Sequence, residues 1–151
     1  MIPLAYINEW QQYAPWPLIS QVEQDLVISR SLIDIFDHPL LKKELAFRGG
    51  TALFKLHLAP ARYSEDIDLV QVRPGPIGAL MDAIQERINP WLGSPRRKQS
   101  EGRVTLIYSF ASEEGLPLKL KIEINSREHF SVLGFDSREY SVQSRWYTGK
   151  A

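Results

Sequence analysis

A Gly-Gly pair and two aspartates one residue apart constrain this chain more than any other feature. Both stand in the run from Phe47 to Val70, FRGGTALFKLHLAPARYSEDIDLV. Gly49-Gly50 follows apolar Leu45-Ala46-Phe47 and precedes Thr51-Ala52-Leu53-Phe54-Lys55-Leu56, a stretch of good helix formers with a capping residue at its start. Glycines let the backbone turn tightly and aim N–H groups at an anion, and a helix N-terminus adds its own orphan donors and positive end. Thr51 can cap that helix or donate to a phosphate. Taken alone, the pair reads more readily as a tight strand-to-helix turn.

The second half is Ser64-Glu65-Asp66-Ile67-Asp68-Leu69-Val70. Side chains alternate along a strand, so Asp66 and Asp68 share one face while Ile67 and Leu69 point into a core. Neighbouring carboxylates resist ionising together. A divalent cation removes that conflict, and Mg²⁺ favours oxygen ligands while keeping waters and substrate phosphates. A third acid is available on Leu118–Asn125, where Leu and Ile alternate with Lys119, Lys121, Glu123 and Asn125. If this strand lies beside the first, Glu123 completes a three-carboxylate cluster; if not, its polar face simply meets water.

The rest of the chain alternates helix and strand. Residues 1–19 hold prolines and the rings of Tyr6, Trp10, Tyr13 and Trp16, which suggests a partly helical arm. Ser20-Gln21-Val22-Glu23 has the form of a capping box for a helix whose apolar face includes Val22, Leu26, Ile33 and Phe36. His38-Pro39 breaks it and opens a short helix. Ile77, Leu80, Met81, Ile84, Ile88 and Trp91 fall at helical spacing, and Asn89-Pro90 is expected to bend or end that helix. Val104–Ala111 and Leu118–Asn125 form an antiparallel hairpin, and a last strand covers Tyr140–Trp146. Ser94–Arg103, the one concentrated basic run, is expected to be a loop able to reach an RNA backbone or simply to meet solvent. His38, His57 and His129 show no ligand spacing.

Composition narrows the function classes. The 151 residues fit one domain, and 18 Lys and Arg balance 18 Asp and Glu. With no global field, any RNA contact must come from a local patch. The lack of cysteine excludes disulfides and thiolate metal sites. No apolar run has the length of a membrane span, and the start lacks signal-peptide character, so a cytoplasmic protein is expected.

Gly49-Gly50-Thr51-Ala52-Leu53, then Arg62-x-Ser64-x-Asp66-Ile67-Asp68-Leu69, resembles the AbiEii/AbiGii-type toxin nucleotidyltransferases, within the polymerase-β-like nucleotidyltransferase superfamily. Lys121-Ile122-Glu123-Ile124-Asn125 is similar to the family's third-acid strand, and Glu23-x-Asp25-Leu26-Val27-Ile28 to its leading helix, so the likeness spans roughly residues 21–148. It implies an α/β (α+β) fold with a mixed sheet flanked by helices and an antiparallel hairpin. It implies that Asp66, Asp68 and Glu123 are catalytic and hold Mg²⁺ or Mn²⁺. Gly49, Gly50, Thr51, Arg62 and Ser64 would bind the NTP. The acceptor would be a hydroxyl of tRNA or protein, and the setting a toxin–antitoxin or phage-defence pair with a cognate antitoxin. Family members continue into a helical half carrying a functional lysine, so residues 1–151 are expected to be the N-terminal catalytic half, with the C-terminal helical half absent. A different-class alternative is a non-catalytic nucleotide- or partner-binding module that keeps the fold.

Overall fold

The computed structural model describes residues 2–14, 16–48, 66–73, 75–100, 102–126, 141–144 and 146–151. In chain order the elements are α1 (Leu4–Trp10), α2 (Ile19–Phe36), α3 (Pro39–Glu44), β1 (Leu45–Arg48), β2 (Asp66–Gln71), α4 (Gly78–Leu92), β3 (Arg96–Ser100), β4 (Arg103–Ala111), β5 (Pro117–Asn125), β6 (Ser141–Gln143) and β7 (Thr148–Lys150). β1 to β5 form one five-stranded sheet in the order β1-β2-β5-β4-β3. β2 and β5 run parallel, and the other neighbours are antiparallel. A parallel pair needs a crossover, and here α4, β3 and β4 supply it.

Period-two alternation decides the two faces of this sheet. Ile67 and Leu69 of β2, Val104, Leu106 and Tyr108 of β4, and Leu120, Ile122 and Ile124 of β5 are buried on one face. They form a single apolar cluster with Val22, Leu26, Ile33 and Ile35 of α2 and Leu80, Met81, Ile84 and Ile88 of α4. Burying such side chains contributes about 1.5–3 kcal/mol each before the entropy of ordering is subtracted. Tyr108 keeps its hydroxyl satisfied by donating to Asn89 Oδ1 at 2.8 Å, and burial pushes its phenol pKa up.

α2 begins earlier than its capping-box pattern suggests. Its cap position is Leu18, whose N–H donates to Gln21 Oε1 at 3.3 Å, and Ser20 lies inside the helix. Glu23 serves a different purpose. Fully buried, it accepts from Ile2 N–H at 3.1 Å and from Glu113 N–H at 2.8 Å, tying the N-terminal arm and the β4–β5 turn to one helix. Asp25 holds the arm a second time by accepting from Trp10 Nε1 at 2.8 Å. α3 starts at Pro39 as its sequence implies, with His38 Nδ1 accepting from Leu40 N–H at 3.2 Å. α4 runs through Pro90 to Leu92, and Gly93, at φ 91°, ends the helix just beyond it.

Two strand expectations also change. The basic run is not a loop: Arg96–Ser100 is edge strand β3, paired with β4 and exposed on both faces. The final strand region is a hairpin of β6 and β7. That hairpin is fastened to α2 and α4 through Arg30. Its guanidinium carbon lies 4.3 Å from the Trp91 ring centroid, 4.9 Å from Trp146 and 4.8 Å from Tyr147, a cation–π arrangement. Asp34, one turn along, accepts from Trp91 Nε1 at 2.8 Å and from Tyr147 Oη at 3.4 Å. Gly149 permits the close approach, since a Cβ there would meet Tyr147 Oη at 2.8 Å and Ile33 Cγ2 at 3.1 Å.

Two predictions follow from these anchors. Glu23→Ala leaves two backbone donors without their acceptor and is expected to cost about 3 kcal/mol in urea unfolding. Asp34 has its pKa raised above the ordinary 3.8 by burial, against the opposing effects of Trp91 and Arg30. The folded state therefore holds that proton more tightly than the unfolded state, and the contribution of Asp34 to stability declines as pH rises through the raised value. Asp34→Asn removes this dependence, so urea midpoints should show the variant gaining on wild type as pH rises above about 4.

Candidate functional site

The face of the sheet opposite the helices carries the candidate acids. β2 places Asp66 and Asp68 there because Ile67 and Leu69 are committed to the core. Register with β5 then decides their neighbours: Asp66 stands opposite Lys121, and Asp68 opposite Glu123. Directly opposed residues on neighbouring strands share a face about 5 Å apart. Glu123 thus sits beside Asp68, with Asp66 one pleat away on the same face. All three side chains are half-buried rather than sunk in the core.

On the far side of β2, Arg48 is the register partner of Asp68. Arg48 immediately precedes Gly49, so β1 reaches its end at the acidic end of β2. Gly49, Gly50, Thr51, Arg62 and Ser64 themselves lie outside the described residues, as do His57 and His129.

The carboxylates have the hard oxygen donors that a divalent cation takes, but they are not gathered into a cage. Among the described residues, no group of three or more His, Asp or Glu side chains stands at metal-holding geometry. Glu123 has another partner: its Oε1 is 3.2 Å from Arg103 Nε on β4. This contact was not legible as a site feature, although the hairpin contains its signal. Pairing outward from Ala111 opposite Pro117 brings Arg103 opposite Asn125, within reach of Glu123.

The same face is strongly basic away from the acids. Arg96 and Lys98 of β3, Arg103 of β4, and Lys119 and Lys121 of β5 all fall on it by register and are exposed. Sequence alone gathered the first three into one basic run but could not join them to the lysines of β5. Ile107 and Val70 are the buried apolar residues on this side. No described helix is long and apolar enough to cross a membrane.

Comparison with solved structures places this architecture. MenT4, a nucleotidyltransferase toxin of Mycobacterium tuberculosis H37Rv, matches with a TM-score of 0.59 and 16% identity, over 91% of this chain and 49% of that one. A candidate nucleotidyltransferase from H. pylori matches with a TM-score of 0.55 and 19% identity, over 76% of this chain and 48% of that one. The likeness is one of fold, and the chain spans about half the length of these proteins. No curated protein matches the sequence. The family described as "Nucleotidyl transferase AbiEii toxin, Type IV TA system" matches residues 30–150. With the acid-bearing parallel strands, the five-stranded mixed sheet and that match in agreement, the chain belongs to the AbiEii family of nucleotidyl transferase toxins.

Proposed function

We propose that this chain supplies the donor half of a divalent-metal-dependent nucleotidyltransferase, moving a nucleotide from an NTP to an acceptor hydroxyl. The observation that carries the reading is the register of two parallel strands, which sets Glu123 against Asp68 with Asp66 one pleat along. An ion such as Mg²⁺ or Mn²⁺, when bound there, supplies charge neutralisation for the triphosphate. Asp66 and Asp68 would hold that ion, and Glu123 would accept a hydrogen bond from the incoming hydroxyl or serve as a third ligand. Catalysis of this kind is mainly positioning and electrostatics, which a rigid sheet provides. Gly49, Gly50 and Thr51 begin at the residue after Arg48, the register partner of Asp68; we assign them, with Arg62 and Ser64, to the phosphates.

The acceptor we propose is an RNA, tRNA being one of the two acceptor classes, with protein, that the family resemblance implies. Its support is the basic face, where Arg96, Lys98, Lys119 and Lys121 are exposed beside the acids on a chain with no net charge. Phosphate contacts of this sort position a strand without reading its bases. In the toxin's setting a cognate antitoxin restrains the activity.

Asp66→Asn and Asp68→Asn are each expected to abolish Mg²⁺-dependent NTP binding in calorimetry while leaving the free energy of unfolding within about 1 kcal/mol of wild type. NTP binding that is indifferent to metal and to both substitutions would instead favour a non-catalytic nucleotide-binding module. For the acceptor, Lys119→Ala and Lys121→Ala should weaken single-stranded RNA binding across sequences. Each should lower the slope of log K against log salt by about 0.7. An unchanged slope would turn the search toward a protein acceptor.

A further inference from the structure

Glu123 stands on the strand between an acidic neighbour and a basic one. β5 is flanked by β2, which carries Asp66 and Asp68, and by β4, which carries Arg103. The ion pair with Arg103, Nε to Oε1 at 3.2 Å, draws the carboxylate toward β4 and so away from the aspartates. While the pair lasts, the guanidinium on the β4 side already takes part of the charge and hydrogen-bonding capacity that a cation on the β2 side would draw on. Arg103 is more than half exposed, and Glu123 is 32% exposed, so an exchange of partners requires side-chain rotation and no movement of the sheet. An ion pair at such exposure is weak enough to be displaced.

We propose that Arg103 is a positioning residue that competes with the divalent ion for Glu123. The inference rests on the metal reading of the acids given above. With its guanidinium engaged, Glu123 is parked on the β4 side, and its charge is balanced without a third carboxylate crowding Asp68. When the carboxylate turns to β2, the guanidinium is released on the same face, opposite Asn125, where it meets an incoming phosphate. Arg103 thereby links completion of the acid cluster to the arrival of anionic substrate.

The test is Mn²⁺ affinity of the full chain, read from the free-ion electron spin resonance signal, in wild type, Arg103→Gln, Arg103→Lys, Glu123→Gln and the Arg103→Gln/Glu123→Gln double variant. Arg103→Gln should bind Mn²⁺ about fivefold more tightly, and Arg103→Lys should stay near wild type. In the Glu123→Gln background the gain should vanish, because the cycle isolates the pair from the general field of one removed charge. Unchanged affinity in Arg103→Gln, or an equal gain with and without Glu123, overturns the proposal. Asp66→Asn separates the two layers of the argument. If it abolishes Mn²⁺ binding while Arg103→Gln has no effect, the partner exchange alone fails. If wild type binds no Mn²⁺, or Asp66→Asn changes nothing, the metal reading fails and takes the proposal with it.

Discussion

The candidate site depends on the parallel pairing of β2 with β5. Two strands far apart in sequence are held in one register, and register is unforgiving. A slip of one residue would carry Asp66 and Asp68 into the core and Ile67 and Leu69 out of it. The burial of Ile67, Leu69, Leu120, Ile122 and Ile124 therefore holds the acids in place as surely as any contact the acids make themselves. Hydrophobic burial fixes the site's geometry from the opposite face of the sheet.

Polar anchors with little direct bearing on the site complete the scaffold. Glu23 and Asp25, buried in α2, take backbone and indole donors from the arm and from the β4–β5 turn. A buried carboxylate is tolerable only when hydrogen-bonded in this way. At the other end of the helix, Arg30 enters a box of three rings while Asp34 accepts from two of them. α2 is thus a central post to which the arm, α4 and the β6–β7 hairpin are all fastened. The sheet's other face is left to the acids and their basic surround.

Local signals carried much of the architecture. The apolar periodicity of α2 and α4, the break at His38-Pro39 and the β4–β5 hairpin could all be read from short stretches, because each depends on neighbours within a few residues. The misreadings have separate causes. Ser20 and Glu23 have the form of a capping box, yet Glu23 is drawn to Ile2 and Glu113, which lie far along the chain. The basic run from Arg96 resembles a solvated loop, because an edge strand exposed on both faces has no alternation to betray it. Pro90 is a breaker by type, but it sits where the helix has almost finished.

By itself the sequence determined which residues could do chemistry and which face of its own strand each would occupy, since side-chain alternation is a local property of the backbone. It named Asp66, Asp68 and Glu123 as acids on polar strand faces. Only the tertiary structure decided that those faces are one face, that Asp68 meets Glu123 and Asp66 meets Lys121, and that Arg103 reaches Glu123 from the opposite strand. Strand order is settled by how the whole apolar set is buried against α2 and α4, a global packing problem that no single segment contains.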